Sequence, residues 1–338
     1  MDLNIIWFIL IVVILAGYAI LDGFDFGVGI LHLFHKTDED RRKSINSIGP
    51  LWDGNEVWLV VGGGALFAAF PEVYATVFSG FYNAFIILLM MLLFRGVAIE
   101  FRSKREDPKW RKGWDIFFSL GSLGAALLFG VALGNLARGI PLDEKKNVMS
   151  GFIDLLNPYS ILVGLTAVSL LTLHGAIFLI MKTEGEMRSN IVRIIKKLIF
   201  AFISLYIITT ISTFIYQPHL PEVFFKNIWL AVIPIATLLL VLNIPREIHF
   251  NREFWAFLSS SGTIALLISL VAIGIFPNLV VSDPNPENSL NIYNSASSES
   301  TLTTMLIIAC IGVPLVLSYT IAVYWIFRGK VKLEKDSY

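Results

Sequence analysis

Charge is scarce in this 338-residue sequence: Asp, Glu, Lys and Arg together make 15% of it, against about 25% in soluble domains. So few charged side chains cannot clothe a globular surface of this size, which excludes a soluble enzyme and a disordered chain. Cysteine is nearly absent. The single Cys310 cannot close an internal disulfide, so a secreted disulfide scaffold is excluded as well. There is no Walker A sequence, no CxxC pair, no HExxH and no stretch polar enough for a soluble domain. The chain therefore neither hydrolyses a nucleotide nor holds a structural zinc. Its net charge is zero, and nothing in it points to a nucleic acid.

Long apolar runs are what the sequence has instead. Hydrophobic residues make 56% of it, mean hydropathy is +0.72, and stretches of about 20 apolar residues recur along the whole length, so the solvent is a bilayer. Apolar runs set against polar breaks predict nine spans at 5–33, 50–70, 78–100, 115–138, 158–181, 198–217, 227–245, 254–276 and 304–327. Alternate breaks are basic. The first, third, fifth and seventh breaks and the C-terminal tail, which includes Lys335, hold 21 Lys and Arg; the opposite side holds four, and Arg95 lies within a span. By the positive-inside rule the N-terminus is outside and the C-terminus cytoplasmic. MDLNII has no basic n-region and no small-residue cleavage site follows it, which predicts a retained first helix. The Asn/Ser/Pro-rich stretch 277–303 reads as an exposed outer loop.

Carboxylates inside the membrane cost about 2.5–3.5 kcal/mol each at mid-bilayer and need a reason to be there. Asp22 and Asp25, in LDGFDFGVG, are three apart on one helix face in the inner part of the first span. Asp53 and Glu56, in GPLWDGNEVW, are three apart at the cytoplasmic start of the second. A short hairpin joins these spans, so four carboxyls come to one leaflet, where neighbouring acids in low dielectric favour proton exchange near neutral pH. The alternative is that they pair with Arg41, Arg42 or Arg95, or that Asp53 caps a helix N-terminus. Gly23, Gly27 and Gly62 to Gly64 read as helix-packing positions. Arg95 and Glu100 read as an interfacial pair, and the tryptophans mostly as an aromatic belt. Of five histidines only His174 lies well inside a span. A b-type haem held between two histidines needs a second at similar depth, so no haem site is expected within this chain; His174 is expected to hydrogen-bond a neighbouring helix.

LDGFDFGVGIL, the run RRKSINSIGPLWDGNEVWLVVGGGALFAAFPEVYATVFSGFY, and FRSKREDPKWRKGWD resemble subunit II of the cytochrome bd-type quinol oxidases. The likeness continues through FGVALGNLARGIP, LLNPYSILVG and IFPNLVVS and covers nearly the whole chain. The resemblance implies an all-α polytopic fold of two four-helix bundles (1–138 and 158–276) plus a peripheral ninth helix (304–327), in one integral membrane domain. It implies a terminal oxidase of a bacterial or archaeal cytoplasmic membrane that oxidises quinol and reduces oxygen to water. Two b-type haems and haem d belong to subunit I, the partner, and small single-helix accessory subunits join some complexes. Some members hold a structural quinone in subunit II. The resemblance assigns Asp53 and a first-helix aspartate, Asp22 in preference to Asp25, to a proton-uptake path; Glu56, which varies to Gln in the family, is the weaker site. Two other readings of the residues are a proton-coupled secondary transporter and a purely structural membrane subunit.

Overall fold

A computed structural model describes residues 2–333, and its order of elements follows the apolar runs. Helix α1 (Leu3–His32) is one unbroken rod of 30 residues, with the Asp2 carboxylate accepting from Asn4 N at its start. After it, α2 (Asp38–Ile48) begins at Thr37, whose hydroxyl accepts from Asp40 N, and buries Ser44, Ile45, Ser47 and Ile48. The hairpin between the first two spans is thus a short amphipathic helix lying across the end of the bundle. Helix α3 (Trp52–Ala69) ends at Phe70 because Pro71 disfavours the helical conformation in the residue before it. Pro71 then opens α4 (Pro71–Gly80), where its missing N–H costs nothing. Next come α5 (Tyr82–Phe101) and α6 (Pro108–Arg138), the latter capped by Asp107.

The second half runs through α7 (Pro158–Lys182), capped by Asn157, α8 (Gly185–Tyr216), the short α9 (His219–Lys226), α10 (Val232–His249) and α11 (Glu253–Ile275). A small antiparallel pair, β1 (Asn278–Val280) and β2 (Leu290–Asn291), precedes α12 (Glu299–Ile326), whose N-cap is Ser298. Among the described residues eight helices are long and apolar enough to cross a membrane: α1, α5, α6, α7, α8, α10, α11 and α12, α10 being counted from Ile228. Helix α3 has the length for a ninth crossing, 18 residues, but its polar first turn, Asp53-Gly54-Asn55-Glu56, dilutes its apolar content. Helix α8 starts three turns before the expected 198. It carries Arg188, Arg193, Lys196 and Lys197 on those turns, so the fifth break is helical rather than loop.

Helix α1 lies at the centre, packed on α3, α6, α7 and α11. Its crossing with α7 brings backbone against backbone. A Cβ added to Gly27 would fall 2.1 Å from Leu171 O, and one added to Gly175 would fall 2.5 Å from Gly27 C. Small residues let backbones meet where no hydrophobic drive between helices exists. Packing is therefore what Gly23, Gly27 and, more loosely, Gly62 do; Gly63 and Gly64 have nothing within 4 Å and face away from the chain, which corrects the packing expectation for those two.

Consecutive helices alternate between two ends. At one end α1 finishes and α3 begins, together with the 102–112 and 182–188 segments and residues 328–333. The stretch 277–298 lies at the other end and is a folded cap rather than a free loop. Val280, Leu290 and Ile292 are buried, Ile140 N donates to Val281 O, and Ser297 N donates to Ala69 O. Only 283–287 form an uninterrupted exposed run within its middle. Lys335 lies outside the described residues.

Candidate functional site

The C-terminal halves of α1 and α5 and the first turn of α3 enclose a carboxyl cluster built around one guanidinium. Asp22, Asp25 and Arg95 are fully buried. Arg95 Nη1 donates to Asp22 Oδ2 at 2.9 Å and Nη2 donates to Asp22 Oδ1, a two-pronged pair that only the planar arginine fork can make. Nη2 also lies 3.8 Å from Asp25 Oδ2, and Nη1 lies 3.4 Å from Glu56 Oε1. The guanidinium carbon sits 4.4 Å above the Phe26 ring, so the cation is held from the side as well. The expected pairing of Arg95 with Glu100 is therefore replaced. A buried guanidinium needs a buried anion, and Asp22, 73 residues away, supplies it.

Asn55 ties α3 into the same cluster. Its Nδ2 donates to Asp25 Oδ2 at 2.8 Å and to Leu21 O at 3.0 Å, and its Oδ1 accepts from the Tyr324 hydroxyl of α12 at 2.9 Å. Four buried polar atoms here have no hydrogen-bond partner among the described residues: Asp25 Oδ1, Glu56 Oε1, Arg95 Nε and the Tyr18 hydroxyl. Of the four sequence-predicted carboxyls, three therefore share one cation. The fourth, Asp53, is exposed on the outer side of α3, one turn before Glu56, whose side chain is 28% exposed. The helix N-cap is Leu51 and makes no side-chain cap bond, so Asp53 is not an N-cap.

A second ionic centre joins the ends of α1, α2, α5 and α6, and sequence reasoning missed it. Asp115, 1% exposed, accepts from His32 Nε2 at 2.7 Å, from Arg41 Nη1 at 2.8 Å and from Arg102 Nε. A carboxylate only accepts, so Nε2 carries a proton; Nδ1 lies 2.7 Å from the Ser44 hydroxyl, which itself donates to Arg41 O at 3.0 Å. Arg102 and Arg111 both donate to Asp38 at 2.7 Å. A usable signal was present: Asp115 is the one acid within α6, just after Lys109, Arg111 and Lys112 of its first turns.

His174 has both ring nitrogens engaged, Nδ1 with the Ser260 hydroxyl at 2.7 Å and Nε2 with Ile20 O at 3.2 Å, and its ring stacks on Phe257 at 4.6 Å. It bridges α7 to α11 and α1. Neither ring nitrogen is left with a lone pair directed at a metal, so the residue does not fit an axial haem ligand.

The description "Cytochrome bd terminal oxidase subunit II" matches residues 3–327. The chain is 36% identical to cytochrome bd-I ubiquinol oxidase subunit 2 of Escherichia coli (strain K12), over 98% of this chain and 96% of that one. It is also 36% identical to cytochrome bd ubiquinol oxidase subunit 2 of Bacillus subtilis (strain 168), over 98% and 97%. Its fold is similar to a chain of the bd oxidase from Geobacillus thermodenitrificans, with a TM-score of 0.81 at 19% identity, covering 97% of this chain and 99% of that one.

Proposed function

Because the chain belongs to the cytochrome bd terminal oxidase subunit II family, a group of respiratory quinol oxidase subunits, we propose that it scaffolds a haem-bearing subunit I and carries protons from the cytoplasm toward the site of oxygen reduction. The observation that carries the proton role is the charge balance of the buried cluster. Asp22, Asp25 and Glu56 share the single Arg95. Fully ionised, the group would hold two uncompensated negative charges, and uncompensated charge in an apolar interior costs several kcal/mol per ion. Protons bound at the carboxyls relieve that cost.

Within this reading Asp22 is the fixed counter-ion of Arg95, while Asp25 keeps Oδ1 free to carry a proton and Glu56 meets Arg95 only at 3.4 Å. Asp53 collects protons at the surface and Glu56, partly exposed, hands them inward. This order reverses the preference for Asp22 over Asp25. The end that holds Asp53 also gathers the basic segments, which supports a cytoplasmic placement. We read the helices as nine crossings, α3 included, in two four-helix bundles with α12 at the periphery. The engaged ring of His174 supports placing the haems in subunit I. Exposed Asp53 and Gly64 and half-buried Gly63, with nothing of this chain against the two glycines, suit the approach of a neighbouring subunit. Quinone and accessory subunits belong to the assembled complex on the same reading.

Asp53→Asn and Asp25→Asn, each in the assembled complex, test the path. A positioned proton-transfer group contributes about 10²–10⁴-fold, so quinol oxidase turnover should fall by at least the lower end of that range with haem content unchanged. Near-normal turnover in both variants would refute the proton role.

A further inference from the structure

Helix α12 touches the rest of the chain sparsely. In its most apolar stretch no residue is buried, and over its whole length only Leu302 is. It is held at its outer end by Trp7 Nε1 donating to Leu302 O at 3.0 Å, and beyond its inner end by Lys330 Nζ donating to Ile180 O and Thr183 O, each at 3.1 Å. Between these anchors the side chain that reaches into the carboxyl cluster is Tyr324. Its ring meets Phe24 edge-on at 6.3 Å, and its hydroxyl donates to Asn55 Oδ1 at 2.9 Å.

That bond matches the way the Asn55 amide points, with its nitrogen toward the acceptors Leu21 O and Asp25 Oδ2 and its oxygen toward α12. An amide can rotate by half a turn and exchange its oxygen for its nitrogen with little change of shape. With Tyr324 donating, the oxygen must face α12, and the amide N–H groups are directed at Leu21 O and Asp25 Oδ2. Without the hydroxyl, the oxygen loses its donor on α12 and the amide is held from the Leu21 O and Asp25 Oδ2 side alone. We propose that Tyr324 is a positioning residue for the carboxyl cluster: by fixing the Asn55 amide it holds Asp25 in its accepting geometry, so the seating of α12 sets the state of the proton-carrying site. Asp25 is faced by Asp22 from α1, Asn55 and Glu56 from α3 and Arg95 from α5, and Tyr324 of α12 lies near enough to feel its charge directly as well as to bond to Asn55. The proposal rests on the reading of Asp25 as a proton carrier.

The test is Tyr324→Phe in the assembled oxidase, which keeps the ring against Phe24 and removes only the hydroxyl. The Asp25 carboxyl signal is first located in the redox-induced infrared difference spectrum as the one lost in Asp25→Asn. In Tyr324→Phe that signal should move in frequency, haem content should stay at the wild-type level, and turnover should fall about 2- to 10-fold, the worth of one neutral hydrogen bond. Combined with Asn55→Ala, Tyr324→Phe should cost nothing further, because both remove the same interaction. An unmoved Asp25 signal, a fully additive double variant, or failure of Tyr324→Phe to assemble would each overturn the proposal. Where Asn55→Ala does not assemble, the infrared signal of Tyr324→Phe alone decides. Unchanged turnover in Asp25→Asn counts against the proton path instead, and leaves the infrared link between Tyr324 and Asp25 to be read on its own.

Discussion

His35 occupies the turn between α1 and α2 with its imidazole buried and Nε2 unpartnered among the described residues. Burial, helped by the nearby His32 and Arg41, pushes its pKa down to about 3 from an ordinary 6.5. The unfolded chain binds a proton at this position below about pH 6.5, and the folded chain does not until about pH 3, so folding loses stability as the pH falls through that window. His35→Gln removes the difference. Its melting temperature at pH 5 should lie closer to its value at pH 7.5 than the wild-type pair of values do; an equal gap would show that His35 is not an acid-labile point. Arg95 makes the contrast at the same scale. Its side chain was visible in the sequence as a lone base in an apolar run, with both Glu100 and the carboxyls of the first two spans open as its partner. Nothing local distinguishes Glu100, five residues on, from Asp22, 73 residues back; burial of the whole guanidinium does.

At the scale of elements, apolar length located the long helices well. The predicted 158–181 and 254–276 became α7 and α11 within a residue of each end. Where boundaries moved, water was the reason: α8 continues three turns past its apolar part because a helix satisfies its own backbone in either solvent. How the helices approach is a tertiary matter, and the α1–α7 crossing tests it. Gly175→Leu puts a side chain into the Gly27 backbone, where an added Cβ already falls at 2.5 Å. Overpacking costs about 1–3 kcal/mol where side chains can adjust, and here the obstacle is backbone. The yield of assembled complex should fall severely, while Gly312→Ala on α12, with nothing within 4 Å, should assemble normally. Equal yields would mean that α1 and α7 have another way to pack.

For the whole molecule, the division of basic residues sets an orientation that labelling can check. In a Cys310→Ser background, since Cys310 is exposed, a cysteine at Asn285 should react with an impermeant reagent added outside intact cells. A cysteine at Glu106 should react only after the membrane is opened. Both positions are exposed on the chain, so accessibility reports the side rather than burial. The reverse pattern would invert the molecule and move Asp53 away from the proton supply. The folded cap over 277–298 does not weaken the choice of Asn285, which lies in its exposed run.

The sequence by itself determined that this is a helical membrane protein, roughly where each helix runs, and that Asp22 and Asp25 share one face. Those are consequences of composition, of apolar run length and of the helical repeat, all properties of neighbouring residues. Only the tertiary structure decided that three carboxyls meet one guanidinium, that Asp53 stays outside them, that His32 and Asp115 form a second ionic centre, and that α12 reaches the cluster through Tyr324. Each of those joins residues far apart in the chain, 73 apart for Asp22 and Arg95 and 269 apart for Asn55 and Tyr324. The physical reason is desolvation: a buried charge or amide must find a partner of matching chemistry wherever packing places one, and local sequence carries no record of which distant residue that will be.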